Sequence, residues 1–76
     1  MVSDDELVGQ ALIDRAVDAL ATRRSVQIWL KDMDQPFKPT EISSYSGVTS
    51  LQDERGAELV VRTASVARLN LGPRTE

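Results

Sequence analysis

The chain has no cysteine and no histidine, and it carries a single residue each of Trp, Tyr and Phe among its 76. Without cysteine there is no disulfide, no thiol nucleophile and no thiolate ligand for zinc. Without histidine the commonest general base and metal ligand are missing as well. No apolar run exceeds three residues, Leu59-Val60-Val61 being one of them, against the ~20 that a membrane-crossing helix needs. Positive charge is also scarce. Nine Lys and Arg against twelve Asp and Glu leave a net charge of −3 and a pI near 4.8. That is the wrong sign for a surface holding nucleic acid everywhere through phosphates. The N-terminal Met-Val-Ser-Asp-Asp-Glu is acidic and polar, the opposite of a secretory leader, so a cytoplasmic protein without a membrane partner is expected. So short a chain is a cramped home for an enzyme pocket; no catalysis, cofactor, metal or small-molecule substrate is expected.

What remains is 41% hydrophobic and 28% charged, the composition of one small globular domain. Ser3 and Glu6 stand at capping-box spacing, with Asp4 and Asp5 where the dipole of a first helical turn favours negative charge. Val8, Leu12, Ala16 and Leu20, flanked by Ile13 and Val17, then recur at helical spacing, which predicts a helix over about 4–23 ending at Thr22-Arg23-Arg24. The period changes to two at Val26, Ile28 and Leu30, which alternate with Gln27, Trp29 and Lys31 as in a half-buried strand. After the turn Asp32–Pro36, a second strand starts at Phe37, is interrupted by Pro39 and continues from Ile42 to Tyr45. Gly47 punctuates before a third strand at Val48–Leu51. The turn Asp53–Gly56 leads to a fourth at Glu58–Val61, and Thr63–Ser65 joins it tightly to a fifth at Val66–Leu71, with 72–76 as a tail. The expected fold is mainly β with one N-terminal α-helix: a single domain over 1–71, closed as a small five-stranded antiparallel barrel of SH3 type. A core of roughly a dozen aliphatics favours association, and edge strands are where copies would pair.

These segments resemble the Sm-like (LSm) family, in its bacterial Hfq-like branch. Val26-Gln27-Ile28-Trp29-Leu30-Lys31-Asp32 resembles the opening of the first Sm motif, and Phe37-Lys38, Ile42–Tyr45 and Val48–Asp53 fall where that family has its next strands. Val61–Leu69 resembles the second motif, although the Tyr-Lys-His run of the Hfq-like branch is replaced by Val61, Arg62 and Thr63. The resemblance implies an Sm-like barrel assembled head-to-tail into a homo-oligomeric ring. It further implies single-stranded RNA as partner and riboregulation as the role.

Four residues are expected to meet RNA. Trp29, on the outer side of its strand, is a candidate stacking platform, with Lys31 beside it; its plainer role is a covered aromatic at a subunit contact. Tyr45 matches a position next to the family's stacking aromatic, a place that Val48 takes here; the simpler expectation is that Tyr45 packs into the barrel with its hydroxyl at the rim. Arg62 matches the pore-lining arginine of Sm-like rings, or pairs across subunits with Glu58. Leu59, Val61, Val66 and Leu69, on the last two strands, are the expected oligomer interface. Arg23 and Arg24 suit a helix C-terminus, and Asp32 and Asp34 a solvated turn. Asp4, Asp5, Glu6, Asp14 and Asp18 make the exposed side of the helix negative, so RNA is expected on the face bearing Trp29 and Lys31. A second expectation follows from the acidic charge: a homo-oligomeric protein-interaction scaffold that does not bind RNA. A third is a different SH3-like barrel serving as an accessory subunit.

Overall fold

A computed structural model describes residues 4–74. One helix, α1 (Asp4–Ala21), precedes five strands: β1 (Arg24–Leu30), β2 (Glu41–Tyr45), β3 (Val48–Gln52), β4 (Glu58–Arg62) and β5 (Val66–Arg74). A single 3-10 turn, Thr63–Ser65, joins β4 to β5. All strand pairing is antiparallel, in two sheets: β1 with β5, and β2-β3-β4 in that order. The mainly β architecture with one N-terminal helix is therefore as expected, whereas the described strands form two sheets and not one closed ladder. An isolated bridge ties β1 to the segment that leads into β2: Ile28 and Phe37 exchange two main-chain hydrogen bonds of 2.8 and 2.9 Å.

The core lies between α1 and the sheets. Val26, Ile28 and Leu30 of β1 point inward with Leu51 of β3 and Val66 of β5, against Ile13, Ala16 and Ala19 of the helix. Each Val, Leu or Ile so buried contributes about 1.5–3 kcal/mol. One polar contact is enclosed with it: the hydroxyls of Thr49 and Thr63, both fully buried, are 2.7 Å apart.

The helix corrects one expectation. Gly9, Ile13, Ala16 and Ala19 form the buried stripe, while Val8 and Val17 are 57% and 43% exposed. The cause is a close approach: the place of a Cβ on Gly9 is already occupied by the main-chain carbonyl of Thr63. Small residues let the helix sit down on the 3-10 turn, and the stripe centres on them and not on Val8 and Val17. The helix also stops at Ala21, short of Arg23, whose φ of 63° leaves the helical region. Arg24 already belongs to β1, where its Nε donates to the Gly72 carbonyl at 2.9 Å. Neither arginine therefore lies in the last helical turn. Ser3 of the capping-box pair lies outside the described residues.

Two other boundaries differ by several residues, and the link between β2 and β3 falls where Gly47 placed it. Phe37 forms only the bridge, and β2 proper starts at Glu41, two residues after the buried Pro39. Ser46 (φ 51°) and Gly47 (φ 81°) both adopt left-handed backbone in the two-residue link from β2 to β3, the twist that matches a tight hairpin. The expected tail is in part strand, because β5 runs through Gly72 and Pro73 to Arg74. An edge strand tolerates that proline, since its missing N–H need not enter a ladder. Between β3 and β4 the Asp53 carboxylate accepts from the N–H groups of Arg55 and Ala57, a turn of the expected chemistry. Among the described residues no helix is long and apolar enough to cross a membrane.

Candidate nucleic-acid interface

The 3-10 turn gathers the residues expected to meet RNA at one end of the molecule. Thr63 N–H donates to the Gly47 carbonyl at 2.9 Å, which ties the turn to the β2–β3 hairpin. Lys31 N–H donates to the Ser65 carbonyl, also at 2.9 Å, which ties it to the end of β1. Tyr45 precedes that hairpin, Arg62 precedes the turn, Lys31 touches it, and Trp29 lies two residues back along β1. One end of the fold thus carries all four, in two groups.

The first group is a cross-strand row. Tyr45 opposes Val48, and Val48 opposes Arg62. Directly opposed residues project from the same face of a sheet, so the three side chains stand together, with Tyr45 and Arg62 about 10 Å apart across two strand spacings. Tyr45 is 86% exposed and Val48 45%. Val60, two residues before Arg62 on the same face, is 56% exposed. The expectation that Tyr45 packs inward is overturned: the inward positions of this sheet belong to Thr49, Leu51 and their neighbours, and the period of two sends Tyr45 outward. Arg62 is exposed and makes no ion pair among the described residues. Glu58, at the far end of β4, instead accepts from Ser50 Oγ at 2.8 Å and Gln52 Nε2 at 3.4 Å. An aromatic, a guanidinium without an ion pair among the described residues and two exposed valines on one sheet face can stack a base and hold a phosphate.

The second group is already partnered. The Arg68 guanidinium lies over the half-buried Trp29 ring, 4.1 Å from its centroid, and Asn70 Nδ2 donates to Gln27 Oε1 at 2.8 Å two residues along the ladder. Lys31 Nζ contacts Asp5 Oδ2 at 3.0 Å, and the Glu6 carboxylate lies against Gly47. The acidic start of α1 therefore sits beside this end and offsets its positive charge. Both members of the Lys31–Asp5 pair are largely exposed, so that contact is weak and easily redirected.

The four expected interface residues are placed by their side chains in the core. Val66 is buried, while Leu59, Val61 and Leu69 are partly buried and pack against it. What β4 and β5 offer outward is main chain, for among the described residues each strand pairs on one side only. The Thr63–Gly47 and Asp53–Ala57 bonds fix the phase of the β3–β4 ladder. Because bonded and non-bonded pairs alternate, the N–H and C=O groups of Glu58, Val60 and Arg62 turn away from β3 to the open edge. The Ile28–Phe37 bonds do the same for β5. They direct the Ile28 main chain away from its partner, so Leu69 presents its own N–H and C=O outward.

Sequence reasoning missed Arg68 as the cover of Trp29, a contact that only the β1–β5 register reveals. It also missed Val60, which the strand alternation would have placed outward. Among the described residues no group of three or more acidic side chains could hold a metal ion, and Asp32 and Asp34 are exposed in their turn. No protein-family model matches the chain, and no curated protein or solved structure matches it either.

Proposed function

We propose that the chain is a non-catalytic, Sm-like protein that assembles into a ring through its β4 and β5 edges and binds single-stranded RNA, as a riboregulator of the cytoplasm. One observation carries the RNA reading: Tyr45, Val48 and Arg62 stand in a single exposed row, with the guanidinium unpaired among the described residues. Stacking on Tyr45 and a charge-assisted hydrogen bond from Arg62 to a phosphate would act on one nucleotide and its neighbour. Trp29 and Lys31 are secondary contacts, since one face of the ring and the ammonium already have partners.

Ring assembly is supported by the two open edges. Strand order β2-β3-β4 leaves β4 at one margin, the β1–β5 pair leaves β5 at another, and two different edges can join head-to-tail. Val60→Pro tests this without touching the core. It deletes an edge donor, keeps the β3–β4 bonds, and sits at an exposed position. Light scattering should read an oligomer for the parent chain and a folded monomer for Val60→Pro; an unchanged oligomer would contradict edge pairing.

The second reading, a protein-interaction scaffold of the same assembly without RNA, is favoured by the net charge of −3 and by the Asp5–Lys31 and Arg68–Trp29 contacts. It keeps the ring and predicts no RNA binding, so the two readings separate on RNA binding alone.

A further inference from the structure

At the end of α1 remote from the 3-10 turn, an open groove of about 850 Å³ runs between the helix end, the start of β1, the 36–40 segment and the β3–β4 turn. Four of the nine cations of the chain, Arg23, Arg24, Lys38 and Arg55, line it. Only two carboxylates, Asp53 and Glu54, face them, and Asp53 is engaged by the N–H groups of its own turn. None of the four cations has an ion-pair partner among the described residues. A surplus of two positive charges in a chain of net −3 marks this groove as the place for an acidic group. Its floor is apolar, with Leu20 and Phe37 half-buried beneath the rim, so the acidic group should bring an apolar anchor.

The opposite end of α1 supplies that combination. Asp4 and Asp5 are exposed in the first turn, Asp5 in the weak surface pair with Lys31, and Leu7 and Val8 beside them are 58% and 57% exposed, although both are large and apolar. Among the described residues nothing covers this pair. The 18 residues of α1 span about 27 Å, so the first turn cannot reach the groove of its own molecule. We propose that the groove receives the first turn of α1 from a second copy of the chain, with Leu7 and Val8 over Leu20 and Phe37 and the carboxylates of Asp4 and Asp5 among the rim cations. The contact joins two different surfaces, so it is head-to-tail. It rests neither on the RNA reading nor on strand-edge pairing.

Salt separates it from strand pairing. Side-chain ion pairing at an exposed rim is screened once the Debye length falls to about 4 Å, near 0.5 M salt, whereas main-chain hydrogen bonds between edges are not. Sedimentation velocity should find the parent chain at higher mass in low salt than in high. Lys38→Glu with Arg55→Glu reverses the groove; Asp4→Lys with Asp5→Lys reverses the helix end. All four positions are exposed, and circular dichroism should read both variants as folded. Each pair of reversals should weaken the salt-sensitive step by about tenfold or more. An equimolar mixture of the two variants should recover it, because every groove then meets a helix end of opposite sign. A mass independent of salt, reversals without effect, or a mixture that fails to recover would overturn the proposal. So would capture of a single-stranded oligonucleotide by the groove without salt-sensitive self-association, which would give the groove to nucleic acid.

Discussion

The guanidinium of Arg68 lies 4.1 Å from the centroid of the Trp29 ring, and the two residues oppose each other in the β1–β5 ladder. The only tryptophan is thus a covered aromatic within one chain, its cover supplied by the adjacent strand. A nucleobase seeking that ring face must displace Arg68 or use what the guanidinium leaves open. This relationship moves the weight of the candidate interface from Trp29 to the Tyr45–Val48–Arg62 row.

Replacing Arg68 by Ala should remove the cation–π contact at a cost of about 0.5–1 kcal/mol and leave the ring more hydrated. Urea titration should show that loss, and tryptophan emission should shift to longer wavelength. Unchanged stability and emission would mean that the guanidinium does not reside over the ring in solution.

Gly9→Ala sets helix propensity against packing. In an exposed helix the change gains up to ~1 kcal/mol, but here the added Cβ meets the Thr63 carbonyl, which is main chain and cannot swing aside. The helix must lift from the 3-10 turn, and overpacking of this kind costs about 1–3 kcal/mol. Thermal unfolding should therefore show net destabilisation; a stabilised Gly9→Ala would contradict the docking of α1.

The buried hydroxyl pair of Thr49 and Thr63 calls for a double-mutant cycle. Thr49→Val or Thr63→Val alone strands one hydroxyl in the core and should cost about 1–3 kcal/mol. The double substitution leaves no unpaired group and should cost less than the two single changes together. Additive losses would mean that each hydroxyl has another partner.

Much of the fold was legible because β1 alternates: Val26, Ile28 and Leu30 are buried, and Gln27 and Trp29 between them are half-buried on the other side, as their period requires. The turns were legible too, for Gly47 and Gly56 adopt the positive φ that suits glycine, and Asp53 closes its turn by side chain. The docking face of the helix was not. Val8 and Val17 look like core on a hydropathy pattern, and only the closeness of Gly9 to Thr63 shows why smaller residues take their place. The candidate site was half legible. Tyr45 and Arg62 could be picked out as residues, but that Val48 stands between them in one row depends on register across β2, β3 and β4. The basic groove was hidden as well, because Lys38 and Arg55 are far in sequence from Arg23 and Arg24 and meet them only through the fold.

The most direct test of the central claim is fluorescence anisotropy of short labelled A-rich and U-rich RNAs titrated with the parent chain, Tyr45→Ala and Arg62→Ala. Both side chains are exposed, so neither variant should lose its fold. The expected result is saturable binding that weakens with salt and drops in each variant. Loss of one stacked base at Tyr45 corresponds to about 1–3 kcal/mol, or roughly five- to 150-fold in affinity. A flat signal at micromolar RNA in low salt, or binding that neither substitution weakens, would contradict an RNA interface at Tyr45 and Arg62.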